Sequence, residues 1–287
     1  MRSNVELIRA LGVLSEAPGP EHVHLADLLE LGEAPDPESY ANVFLLQLYP
    51  YSSIYVGSEG MLGGEARDRV AGAWTALGRT PPAEPDHVGA LLGLYAALAE
   101  HAETESDPAE RALWRAAASG FLWEHLLSWA IPYLNRFKGI GSPAYEAWAL
   151  LLADTLRAEG RRHGPPATLP LHLRSAPALE DPRDSGSDAF LSGLLAPVRS
   201  GMVMTRADLA RGAAEIGLGL RLGERRFALE AFFSQDAPRT LEWLSGQADT
   251  WTRRHIEGSE GLGPIADFCS ARARATGDLL QSLSESE

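Results

Sequence analysis

From one end of this chain to the other, apolar residues recur at three- and four-residue steps, and alternating period-2 stretches are nearly absent. Such spacing puts one apolar stripe on each helix and leaves nothing to line a half-buried strand. The pattern predicts an all-α fold, a helical bundle. Leu7, Ile8, Leu11 and Leu14 share a face behind Asn4, which can cap the helix that Gly19 and Pro20 end. A second pattern follows at Leu25, Leu28, Leu29 and Leu31, and a third, NVFLLQLYPY, is cut by Pro50. Glu65 begins a helix through Val70, Trp74 and Leu77, and Asp86 stands where an N-cap should, before Val88, Leu91, Leu92, Tyr95 and Leu98. Asp107 and Pro108 open a helix that keeps its step through Leu113, Ala117, Phe121, Leu122, Leu126 and Trp129 until Pro132 interrupts it.

The same signals divide the chain. Residues 1–158 read as a helical core. Residues 159–188 carry five prolines and no helical period, which predicts a linker or long surface connection and the most protease-sensitive internal stretch. Residues 189–287 form a C-terminal helical extension, in which Thr205 and Asp208 bracket a helix start and the tail Ser284–Glu287 should fray. No period of a solenoid repeats.

Charge narrows the partners. With 39 acidic against 25 basic residues the net charge is −14, which disfavours nucleic acid and favours a cationic partner. The N-terminus has no basic region followed by an apolar one, and the apolar run at 91–99 is about half a membrane span, so a cytoplasmic protein without stable membrane insertion is expected. A single cysteine, Cys269, rules out an intrachain disulfide framework and any multi-cysteine metal site.

Residues 121–129, FLWEHLLSW, place Glu124 and His125 side by side in an apolar run, where ionisable groups are costly unless partnered. No second histidine completes HExxH, and there is no GxSxG elbow, so neither a helical zinc site nor a serine nucleophile is indicated. The glycines Gly57, Gly60, Gly63 and Gly64 end on Glu65 where a phosphate loop needs Lys-Ser/Thr, and they read as a sharp turn between helices. His22 and His24, in a segment read as non-helical, make a weak site. The pairs Arg161–Arg162, Arg225–Arg226 and Arg253–Arg254 read as solvated positions. Glu84-Pro85-Asp86-His87 supplies a second carboxylate–imidazole pair at the mouth of the next helix. Its ordinary reading is an N-cap.

Three stretches in order, YPYSSIYVGSEGMLGGEARDRV, EPDH with its apolar helix, and FLWEHLLSWAIPYL, resemble the TorD/DmsD family of redox-enzyme maturation chaperones over roughly residues 40 to 158. The resemblance implies an all-helical cytoplasmic chaperone with no catalytic activity and no cofactor or metal of its own. Its partners would be the twin-arginine leader and the apo form of a molybdopterin oxidoreductase subunit, whose cofactor insertion it assists and whose export it delays. A homodimer is compatible with it. Carried over by motif, Glu84, Pro85, Asp86 and His87 match the hinge. Glu124, His125, Leu126, Trp129 and Pro132 match the leader-binding helix, and Tyr49, Pro50, Tyr51, Ser53, Tyr55 and Gly60 match the surface beside it. The competing reading is a helical small-ligand or nucleotide-binding protein, or an enzyme, with a pocket of His87, Glu124 and His125.

Overall fold

The computed structural model describes residues 4–221 and 223–285, and these described residues form sixteen α-helices and two π-helical turns. Among the described residues there is no strand, only an isolated antiparallel bridge between Tyr51 and His87. The all-α expectation holds. The period of the apolar positions already contained that result, since it leaves no face for a sheet to bury.

The helix Val5–Val13 packs against Val88–Thr104, which in turn packs against Pro108–Phe121. Ile8 and Leu11 are fully buried there with Leu91, Leu92 and Tyr95. Several caps form where the sequence indicates them. Asp107 accepts the amides of Ala109 and Glu110, and Thr205 and Asp208 form a reciprocal capping box at the start of Arg206–Ile216. The glycine-rich loop does turn between two helices, Ser52–Val56 and Gly64–Ala76. At Gly60, with φ of +62°, a Cβ would lie 2.8 Å from the Ala196 Cα, so this turn depends on a residue without one.

Other expectations shift. His22 and His24 lie in the helix Pro20–Leu28, where His22 is buried and its Nδ1 accepts the Gly19 amide. The helix opened by Asp107 gives way before Pro132: a π-helical turn spans Leu122–Leu127, Trp129 leaves helical geometry at φ −147°, and Ala130–Leu134 restarts with Pro132 inside it. Such turns concentrate where a backbone carbonyl is diverted to another partner.

One hydrophobic core joins residues from Val5 to Leu283. The boundary expected after residue 158 falls inside the helix Pro143–His163. The 159–188 segment continues through the short helix Leu171–Ser175 into Pro182–Leu195, and His172 and Leu173 are buried. A second tie is the buried ion pair in which Arg136 donates to both Asp208 oxygens at 2.6 Å. The C-terminal helices Ala237–Glu257 and Pro264–Ser284 pack along each other. Of the tail, Glu285 caps the last helix, and residues 286–287 lie outside the described residues. No helix of the described residues is long and apolar enough to cross a membrane.

Candidate functional site

The segment Tyr49–Tyr55 sits between the other two motifs. On one side the Ser52 amide donates to the Asp86 carbonyl at 3.0 Å, the Val88 amide donates to the Pro50 carbonyl at 2.8 Å, and the Tyr51 ring meets the His87 ring edge-on. Asp86 is buried, and its carboxylate accepts the amide of Ser53 at 3.2 Å. It therefore caps Ser52–Val56 across the fold. The cap of its own helix is His87, whose Nδ1 accepts the Gly89 amide. Burial lowers the His87 pKa and, with Glu84 nearby, raises that of Tyr51. Glu84 is exposed.

On the other side Tyr55 stacks on Trp129 with ring centres 5.1 Å apart and planes 13° from parallel. The Tyr55 hydroxyl donates to the Tyr49 carbonyl, and the Trp129 indole donates to the His125 carbonyl at 2.8 Å. Leu126 and Trp129 are buried and Pro132 is half-buried. EPDH and WEHLLSW are thus joined through the tyrosine segment.

Glu124 answers the question its setting raises. Both carboxylate oxygens accept the amide of Leu171, and its carbonyl accepts from His172 Nε2 at 2.8 Å and from the Ser128 hydroxyl at 2.8 Å. Leu173 borders the same small cavity as Tyr55, Ser128, Trp129 and Pro132. Residues 169–176 thus lie as a strap over the helix singled out as leader-binding. Further along, Arg272 donates to the Ala176 carbonyl at 2.6 Å and holds the strap down. The strap residues Leu171, His172 and Leu173 were not among the expected site residues. Their signal was LPLHL, an apolar run inside an otherwise proline-rich stretch.

The imidazoles of His125 and His172 meet edge-on, 5.6 Å apart, and each has an Nδ1 without a partner among the described residues. Burial, with His172 adding to it, pushes the His125 pKa down to about 3, and burial lowers that of His172 as well. Both rings are therefore neutral at ordinary pH. Beside the strap, a cavity of about 450 Å³ opens between the glycine loop and His172, with Glu59, Glu65 and Arg69 on its walls. No group of three or more His, Cys, Asp or Glu among the described residues is arranged to hold a metal ion. Cys269 is half-buried, and burial raises its thiol to about 12, which leaves it protonated.

Comparison with known families shows what part of the chain resembles. Residues 24–133 match the family model described as nitrate reductase delta subunit. The resemblance to the TorD/DmsD maturation chaperones holds over this segment, which contains the three motifs up to Tyr133 and supports a redox-enzyme maturation chaperone. No curated protein matches the chain. The strap and the C-terminal helices lie outside the nitrate reductase delta match, so their arrangement is read from this structure alone.

Proposed function

We propose that this protein is a cytoplasmic chaperone that binds the twin-arginine leader of a molybdopterin oxidoreductase subunit, attends its cofactor insertion and delays its export. What supports the reading is the joining of the three motifs inside the matched segment: Tyr51 bridges to His87 while Tyr55, a turn later, stacks on Trp129. Glu84 beside Tyr51, and Glu124 on the turn that precedes Trp129, supply carboxylates for a cationic leader. Apolar anchorage is available at Leu126, Trp129 and Pro132.

Those anchors are covered by the chain itself. In this reading the strap and the leader compete: a leader displaces Leu171–Leu173, frees the Glu124 carboxylate for its arginines and lays its apolar stretch against Trp129 and Tyr55, in the manner of a helix in a groove. His125, held neutral, then serves as a hydrogen-bonding group rather than a competing cation. Calorimetry with a synthetic leader peptide tests it. Binding that weakens with salt, and weakens again when the arginine pair becomes lysine, is expected. Absence of binding, or equal binding of the lysine peptide at every salt, would overturn the reading.

A further inference from the structure

Beyond the leader site, the Arg225–Arg226 pair departs from the solvated positions expected of it. Arg226 is fully compensated: it donates to Asp188 at 2.7 Å, to Glu230 at 2.8 Å and to the Ser192 hydroxyl at 3.0 Å. Arg225 is half-buried and donates to the Met204 carbonyl at 2.7 Å, with no carboxylate in ion-pair reach among the described residues. Arg206 is likewise half-buried without an ion pair among them. Arg111, Arg254 and Arg272 are also half-buried without an ion pair among the described residues, but Arg206 and Arg225 share one cavity. A charge withdrawn from water and left without a counterion is costly.

Both arginines open helices, Arg206–Ile216 and Arg225–Gln235, and both line one cavity of about 400 Å³. That volume lies within the range of about 300–1,000 Å³ typical of ligand pockets. Part of the cavity lining is apolar. Leu46, Met61 and Leu62 stand there 43%, 65% and 63% exposed, with Leu195 beside them. Grouped exposed apolar side chains rimmed by charge mark contact surfaces more than scattered ones do. Glu59 and Glu224 border the cavity too, but both are exposed and neither reaches Arg225 or Arg206.

We propose that this cavity is a second peptide site, of opposite polarity to the leader site, which takes a client segment carrying a carboxylate beside bulky apolar side chains. The carboxylate sits between Arg206 and Arg225, and the apolar side chains cover Leu46, Met61 and Leu62. A cationic leader is repelled here. Burial lowers the Arg225 pKa, with Arg206 nearby pushing the same way, and a bound carboxylate offsets both effects.

The test uses the full chain and a dansyl-labelled peptide containing Glu-Leu-Phe-Asp, followed by fluorescence anisotropy. Arg206→Gln and Arg225→Gln are each expected to weaken binding about tenfold, as loss of a charge-assisted contact does. Arg253→Gln, the same charge change at an exposed position away from the cavity, should leave it unchanged. The peptide with Gln and Asn in place of its acids, and the peptide with Ala in place of Leu and Phe, should both bind poorly. Because the Arg206 side chain makes no hydrogen bond among the described residues, Arg206→Gln decides the matter even if Arg225→Gln fails to fold. The proposal is overturned if the wild type does not bind the acidic peptide, if folded Arg206→Gln binds it as well as the wild type, or if Arg253→Gln weakens it equally. It is also overturned if the alanine peptide binds equally well, which would reduce the cavity to a bare anion site.

Discussion

Both oxygens of the Glu124 carboxylate accept the Leu171 amide, at 2.7 and 3.0 Å, across a sequence separation of 47 residues. The contact fastens the strap to the one helix where a buried acid looked out of place, and it makes the strap's order depend on Glu124. Replacing Glu124 by Ala leaves that amide without its acceptor, a loss of about 1–2 kcal/mol. Hydrogen exchange at residues 171–175 is therefore expected to quicken about tenfold, while exchange in the helix Val88–Thr104 stays as it was. Unchanged protection of the strap would show that other contacts hold it.

Arg136, three residues past the matched segment, and Asp208 form a buried tie to the C-terminal helices, and Asp208 also accepts the amide and hydroxyl of Thr205 at 2.8 Å. Removing one partner strands the other charge. Arg136→Met should cost about 3–5 kcal/mol in urea unfolding. The double variant Arg136→Met with Asp208→Asn should recover part of that loss. A single variant within about 0.5 kcal/mol of the wild type contradicts the assignment of this pair as structural.

Histidine burial sets a pH dependence of known sign. The folded His125 pKa is near 3 and the ordinary value is 6.5, so between them the unfolded chain takes up a proton that the folded chain refuses. The stability this position contributes is complete above about pH 6.5 and is lost as the pH falls from there toward 3, by up to about 1.4 kcal/mol per pH unit. His172 adds loss in the same direction, while Glu124 and Glu65 offset it and Arg69 reinforces it. Urea midpoints measured between pH 7 and pH 5 should fall less steeply for His125→Leu than for the wild type. Identical slopes would contradict a neutral, enclosed His125.

The features legible in the sequence are those written in local spacing. Asp107 with Pro108, and Thr205 with Asp208, fall within one helical turn of the amides they cap, so residue type and offset suffice to find them. Asp86 was legible as a cap but not for the right helix, because the amide it accepts belongs to Ser53, which only the Tyr51–His87 bridge brings near. The strap was hidden for the same reason: a five-residue helix shows no period, and its partners Glu124, His125 and Trp129 lie more than forty residues upstream. Arg225 is a related case. Its neighbour Arg226 finds its partners one turn away and on an adjacent helix, whereas the enclosure of Arg225 arises from the meeting of two helix ends that no one-dimensional pattern records.

Leu173 separates strap from leader, being only 2% exposed and belonging to the strap rather than to the helix proposed to bind the leader. Leu173→Ser removes about 2 kcal/mol of apolar burial from the covered state without altering Glu124, His125 or Trp129. Calorimetry of a twin-arginine leader peptide against the wild type and this variant, with the fold of each checked by circular dichroism, reads the consequence. Leu173→Ser should bind the leader up to about thirtyfold more tightly, because less of the free protein is held closed. Equal or weaker binding by a folded Leu173→Ser would mean that the leader does not enter beneath the strap.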